Sequence, residues 1–297
     1  MFRKSLFYVF LLVLAIILIY NPNFKTIAAG VAILLFGMIM LEEGFKVFTR
    51  GGPLLNILKK ATDKLYKSIA VGAFVTAFIQ SSSLVSVITI SFISAGLIDL
   101  AGGLGLIFGA NIGTTATAWL VAGFGLKIKI SALAMPMLVF GIIFSFQKKP
   151  TLKGIGNVLA GLGFFFLGIH YMKEGFDVFK EYIDLTQYAI PGFLGIVVYT
   201  GLGIIITTIL QSSSATLALI LTALAAGQIE YENALALAIG ANVGTTITAV
   251  LGSLSSNIAG KRLAGAHLIF NLVTGVVALI FIYPLANLVN TLSDVLG

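Results

Sequence analysis

The chain has 297 residues, of which 59% are hydrophobic and only 10% charged, with a mean hydropathy of +1.08. Soluble domains carry about 25% charged residues, so a soluble fold is excluded and an all-α polytopic membrane protein is expected. A formal charge of +7 would suggest nucleic acid in a soluble chain, but basic residues of membrane proteins gather in cytoplasmic loops. No nucleic-acid partner is therefore expected, and with no cysteine in the chain thiolate metal sites and thiol catalysis are excluded.

Residues 1–26 form a first unit. Arg3 and Lys4 precede an apolar run from Leu6 to Tyr20 with the look of a signal peptide, yet Asn21-Pro22-Asn23 offers no small-residue cleavage site. The segment reads as an uncleaved transmembrane helix.

Residues 27–157 form a second unit that opens with a crossing from Ile27 to about Val47. The uncharged stretch Ser68–Ile98 follows, 31 residues long. As one straight helix it would measure about 46 Å against a hydrocarbon core of about 30 Å. Gln80-Ser81-Ser82-Ser83 lies in its middle, and such side chains favour caps and turns over helix interiors. A re-entrant hairpin over 68–98 is expected, because irregular backbone at membrane depth is tolerated only where it lines a cavity or is buried in protein. A broken helix over 104–124, interrupted at Asn111-Ile112-Gly113, and a helix over 128–146 complete the unit.

Residues 158–297 copy this plan. Gln80 to Ser83 returns as Gln211-Ser212-Ser213-Ser214, and Gly109-Ala110-Asn111-Ile112-Gly113-Thr114-Thr115 returns as Gly240-Ala241-Asn242-Val243-Gly244-Thr245-Thr246, both 131 residues on. The same offset matches Glu43-Gly44-Phe45 to Glu174-Gly175-Phe176 and Thr117-Ala118 to Thr248-Ala249. The copy supplies a hairpin at about 191–227, a broken helix over 234–252 and a helix over 263–283.

Three crossings and a hairpin make an odd count, so the second copy must run with inverted topology. With the N-terminus cytoplasmic, thirteen basic residues fall inside (Arg3, Lys4, Lys46, Arg50, Lys59, Lys60, Lys64, Lys67, Lys148, Lys149, Lys153, Lys261 and Arg262) and five outside (Lys25, Lys127, Lys129, Lys173 and Lys180). The positive-inside rule favours that orientation in the inner membrane, with the C-terminus outside.

Inverted repeats with discontinuous helices are the architecture of secondary transporters, whose sites lie near the midplane where the repeats meet. Each Gln-Ser-Ser-Ser precedes a helical half, so its serines can cap that end while free N–H groups and the helix dipole offer an anion site. Small hard cations would supply the missing counter-charge, held by amide, hydroxyl and backbone oxygens. Thr114 and Thr117, like Thr245 and Thr248, are three apart and share a helix face after the Asn-containing break. The competing reading is packing: Ser and Thr bond back to the preceding turn, and the Gly105, Gly109, Gly113 spacing suits close helix approach. Duplication of both polar motifs favours function. Glu43 and Glu174 read as interfacial anchors, and His170 and His267, unpaired in the repeat, as isolated polar residues. No serine has a base at catalytic spacing, so no enzyme and no organic cofactor are expected.

At these residues the sequence resembles the type II sodium/phosphate cotransporter family, whose hallmark is two inverted repeats each carrying Gln-Ser-Ser-Ser. The resemblance covers about residues 27–283. It implies sodium-coupled import of inorganic phosphate by alternating access, with phosphate at Gln80, Ser81, Ser82, Ser83, Gln211, Ser212, Ser213 and Ser214. It further implies Na+ coordination by Asn111, Thr114, Asn242, Thr245 and Thr248 with Gln211 and Ser212; Thr117 is added from the repeat alone. Many bacterial relatives carry a C-terminal domain resembling the regulator PhoU, and the likeness is to a member without it. Expected partners are phosphate, Na+ and the bilayer, with a homodimer left open. Another oxyanion or a dicarboxylate as substrate, and an anion channel as mechanism, are the alternatives.

Overall fold

The computed structural model describes residues 2–49, 63–126 and 130–296, which form helices and turns with no strand among them. In chain order these are α1 (Phe2–Tyr20), α2 (Pro22–Thr49), α3 (Leu65–Ile79), α4 (Ser82–Ser94), α5 (Leu100–Leu120) with a π turn at Val121–Gly125, α6 (Ile130–Ser145) and α7 (Pro150–Tyr182). After a 3-10 turn at Leu185–Tyr188 come α8 (Gly192–Leu210), α9 (Ser213–Ala225), α10 (Tyr231–Gly244), α11 (Thr246–Ser253), α12 (Ile258–Ile280) and α13 (Ile282–Leu296). Six stretches among the described residues are long and apolar enough to cross a membrane: Phe24–Val47, Leu100–Gly125, Pro150–Tyr182, Gly192–Leu210, Tyr231–Ser253 and Ile258–Ile280. The protein is a multi-pass membrane protein.

Lipid gives helices no hydrophobic reason to associate, so close backbone approach through small residues must hold them together. Helices α2 and α7 do this along their length. Gly30, Gly37 and Gly44 recur every seven residues, as do Gly154, Gly161, Gly168 and Gly175. A side chain on Gly30 would meet the Gly168 carbonyl at 2.8 Å, one on Gly37 the Gly161 carbonyl at 2.7 Å, and one on Gly44 the Gly154 carbonyl at 2.8 Å. Numbers rise on one helix as they fall on the other, so the pair is antiparallel.

The same device joins α3 to α5 and α8 to α10. A Cβ on Gly72 would strike the Leu106 carbonyl and one on Gly109 the Ile69 carbonyl; at the matching positions Gly203 faces Leu237 and Gly240 faces Thr200. Around these pairs, α9 packs its Ala215 and Ala218 against Leu34, Phe165, Ile169 and Met172 of α2 and α7. Helix α4 instead packs Ile90 and Ile93 with Leu106 and Ile107 of α5 and with Leu263 of α12.

Three expectations need correction. The break expected at Asn111-Ile112-Gly113 is absent, since α5 runs unbroken from Leu100 to Leu120 and its irregularity is the π turn at Val121–Gly125. There Gly105, Gly109 and Gly113 lie against α3, and Thr114 and Thr115 satisfy their hydroxyls on the carbonyls of Ala110 and Ile112 at 2.9 and 2.7 Å. The polar residues thus have partners that an intact helix permits. In the second copy the interruption falls at Thr245, between α10 and α11, three residues beyond Asn242. The helix expected over 263–283 begins at Ile258, where Asn257 caps it by accepting from Gly260 N at 3.1 Å, and ends at Ile280 before a bend into α13. Of the charges used for orientation, Arg50, Lys59, Lys60, Lys127 and Lys129 lie outside the described residues.

Candidate functional site

The first motif builds the same local backbone twice. Helix α3 ends on Gln80 at φ 59° and ψ 28°, and α8 ends on Gln211 at φ 52° and ψ 25°. These are the two non-glycine residues with positive φ among the described residues. A side chain held there costs about 1–3 kcal/mol, which surrounding structure must offset. The chain then returns to extended backbone at Ser81 and Ser212, whose hydroxyls cap α4 and α9 by accepting from Leu84 N and Ala215 N, both at 3.2 Å. Each cap satisfies one orphan N–H and leaves others of the first turn pointing outward.

The two tips meet. Gln80 to Ser83 and Gln211 to Ser214 line one cavity of about 360 Å³, closed on its other side by Leu35, Met38, Ile39 and Glu42 of α2. Six serines stand in its wall, and among the described residues Glu42 is the one ionisable side chain lining it. Ser81 Oγ donates to Glu42 Oε2 at 3.2 Å, whereas the matching Ser212 Oγ faces Met38 Sδ at 3.8 Å.

The second motif reaches across to the tip of the other copy. Thr117 Oγ donates to Gln80 Oε1 at 2.7 Å and lies 3.0 Å from Ser214 Oγ. A hydroxyl has one proton, so Ser214 must be the donor to Thr117. At the equivalent place Thr248 donates to the Thr245 carbonyl at 2.8 Å and lies 3.2 Å from Ser83 Oγ. Here the threonine is the donor, its one proton shared between the Thr245 carbonyl and Ser83 Oγ, so the two pairs run in opposite senses. Threonine of one copy and the last serine of the other are therefore paired twice, in a swapped arrangement.

The remaining second-motif residues separate from the tips. Asn111, Thr114 and Asn242 line a second cavity of about 510 Å³ whose other walls include Phe108, Ile112, Leu217 and Phe270; Ser213 borders both cavities. Thr245 is buried at the kink, and its hydroxyl has no hydrogen-bond partner among the described residues. Thr114 and Thr117, expected on one face, thus serve different places: one the second cavity, the other the seam.

Two residues, Asn271 and Glu42, escaped the sequence reading, and a third, His267, was read as isolated. Asn271 of α12 is fully buried, and its Oδ1 accepts from Asn111 Nδ2 at 2.8 Å and from Asn242 Nδ2 at 3.1 Å. His267, one turn earlier, brings Nε2 within 3.4 Å of Asn111 Oδ1, so it belongs to this network and is not isolated. Asn271 and His267 correspond to Phe140 and Pro136 in the other copy, so a search for repeated residues passes over them. Their signal was two polar side chains four apart, on one face of an apolar helix.

Comparison with known proteins places these motifs in a family. The chain is 32% identical over 269 residues to a Salmonella typhimurium protein named "Putative inorganic phosphate export protein YjbB", covering 89% of this chain and 48% of that protein. It thus spans about half the length of that relative. It is 29% identical over 275 residues to the Bacillus subtilis "Uncharacterized protein YqeW", covering 88% of this chain and 84% of that one. A shorter match, 40% over 87 residues, reaches the mouse "Sodium-dependent phosphate transport protein 2C", covering 28% of this chain and 14% of that one. No solved structure matches the chain. The family model for the Na+/Pi-cotransporter matches residues 33–174 and 194–293, and the chain belongs to that family.

Proposed function

We propose that the protein is a sodium-coupled transporter of inorganic phosphate in the cell membrane, that Gln80 to Ser83 and Gln211 to Ser214 bind the anion, and that the second motifs bind Na+. The observation that carries this reading is the cavity where both Gln-Ser-Ser-Ser tips meet, walled by hydroxyls at two helix N-termini. Hydroxyl and backbone N–H groups suit phosphate oxygens, and the dipoles of α4 and α9 favour negative charge there. The names of the Salmonella and mouse relatives point to phosphate as the anion and, for the mouse protein, to sodium as the coupling ion.

The residues proposed for Na+ are Asn111, Thr114, Thr117, Asn242, Thr245 and Thr248, with Gln211 and Ser212. The swapped serine–threonine pairs suggest how the two ligands communicate. When phosphate takes the proton of Ser214, the oxygen of Thr117 loses its donor. A cation then supplies the positive partner that oxygen lacks, so each ligand strengthens the other as linkage requires. Alternating access would move the tips and second-motif helices against α2 and α7, in a topology of two inverted repeats, 27–157 and 158–297, with α3–α4 and α8–α9 as re-entrant hairpins. The antiparallel register of α2 on α7 supports that inversion.

An inward Na+ gradient drives such a symporter inward, and each net positive charge moved in gains about 2.3 kcal/mol per 100 mV. Reconstituted vesicles taking up labelled phosphate are expected to accumulate it with a Na+ gradient and not with K+ in its place; uptake indifferent to Na+ contradicts the proposal. Outward transport is the second reading, favoured by the export named for the Salmonella relative. Preloaded vesicles that lose phosphate while facing an inward Na+ gradient would establish it.

A further inference from the structure

We propose that Glu42 selects the anion: its carboxylate accepts a hydrogen bond from an O–H of the bound oxyanion, so that phosphate and arsenate are admitted and sulfate is refused. This rests on reading the tip cavity as the phosphate site.

The hydroxyl wall alone cannot make that distinction. Serine hydroxyls both donate and accept, and sulfate matches the tetrahedral shape and the double negative charge of monohydrogen phosphate. The two anions differ in one respect near neutral pH: phosphate keeps at least one proton and sulfate keeps none. Only a group that accepts and cannot donate reads that difference, and an ionised carboxylate is such a group.

Glu42 is placed to do so. It lines the cavity beside Ser81. Ser81 Oγ already accepts from Leu84 N, so its single proton goes to Glu42 Oε2 at 3.2 Å. Lys46 Nζ holds Oε1 at 2.8 Å. A carboxylate offers about four lone-pair sites, and these two bonds leave acceptor capacity on a side chain still 30% exposed. Lys46 is shared with Glu43 Oε1, also at 2.8 Å, so the cluster keeps one net negative charge, which an anion bringing an O–H offsets with a hydrogen bond and a bare anion does not. An oxyanion with an O–H gains a bond to a charged acceptor, whereas one without it brings a bare oxygen against a carboxylate. Specificity then comes from the unfavourable contact as much as from the favourable one. Glu42 has no equivalent at the second tip, where Met38 stands beside Ser212, so the site presents one acceptor to the protonated corner of the anion and hydroxyl donors to the rest.

The test is equilibrium competition against labelled phosphate on the purified protein in nanodiscs at saturating Na+. In the unaltered protein, arsenate should displace phosphate, and sulfate should need at least a ten-fold higher concentration. Monofluorophosphate, a phosphate-shaped dianion with no O–H near neutral pH, should behave like sulfate. Glu42→Gln keeps an oxygen for Ser81 and adds a donor; it should lower the sulfate concentration for half-displacement on the order of ten- to a hundred-fold. Phosphate should still saturate the variant, more weakly. Lys46→Met, which removes the ion pair and keeps the acceptor, should retain discrimination against sulfate. If labelled phosphate does not bind the unaltered protein saturably, the phosphate reading of the cavity fails. If phosphate binds but monofluorophosphate competes as well as arsenate, or Glu42→Gln still excludes sulfate, the phosphate site stands and the role of Glu42 is overturned. The monofluorophosphate arm needs no substitution, so a misfolded variant cannot leave the question open.

Discussion

The two Gln-Ser-Ser-Ser tips share a backbone and differ in surroundings. Both glutamines sit in the left-handed region, and both following serines cap a 13-residue helix. Yet Gln80 is held by Thr117 while Gln211 is exposed, and Ser81 faces a carboxylate where Ser212 faces a thioether. The helices behind them also differ, α5 continuous and the α10–α11 pair kinked at Thr245. Duplicated sequence therefore dictates local conformation, and the unduplicated neighbours decide what surrounds each tip.

The largest effect should come from breaking the frame. Gly109→Val and Gly240→Val each drive a branched side chain into a facing backbone carbonyl that cannot retreat. Each should destabilise by about 3 kcal/mol or more. Loss of monodisperse protein in both, by size-exclusion chromatography, is expected; tolerance in one copy only would show that the packing is not equivalent.

Next come the serines common to both tips. Ser83→Ala and Ser214→Ala each remove a donor to a charged ligand, about 1.5–3 kcal/mol or roughly ten- to a hundred-fold in phosphate affinity. Both variants should weaken binding in a titration with labelled phosphate. Ser293→Ala on exposed α13 serves as the control, expected within about 0.5 kcal/mol of the unaltered protein. Equal losses at all three would remove the case for the tips.

Thr245 and Thr117 sharpen the contrast between a waiting ligand and a fastened one. The buried Thr245 hydroxyl has no partner among the described residues, so Thr245→Val should leave the Na+-free protein as stable or more stable, by about 1 kcal/mol, while raising the Na+ concentration needed for half-maximal phosphate binding. Thr117→Val breaks bonds to Gln80 and Ser214 and should lower stability without Na+. Thermal unfolding with and without Na+ reads both signs. The smallest difference is expected between Gln80→Ala and Gln211→Ala: the first loses the Thr117 bond, about 0.5–1.5 kcal/mol, and the second loses less in the unliganded protein.

Much of this was legible because the chain states it twice. The 131-residue offset picked out both tips, and polar residues in an over-long apolar stretch located the turn between α3 and α4. What could not be read was anything depending on a neighbour without a copy. Asn271 joins Asn111 to Asn242 from a helix whose counterpart has Phe140 there, and Glu42 reaches Ser81 across helices. The Asn-Ile-Gly segment misled for a different reason. Glycine and asparagine signal a break in isolation, but here the glycine packs against α3 and Asn111 finds its partner on α12, so α5 stays intact.

The proposed anion and cation sites should act on one another across the swapped serine–threonine pairs. Phosphate titrations of the purified protein at several Na+ concentrations test it most directly. Phosphate affinity should climb with Na+, and phosphate should raise Na+ affinity by the same factor. A phosphate affinity that does not change with Na+ would contradict it.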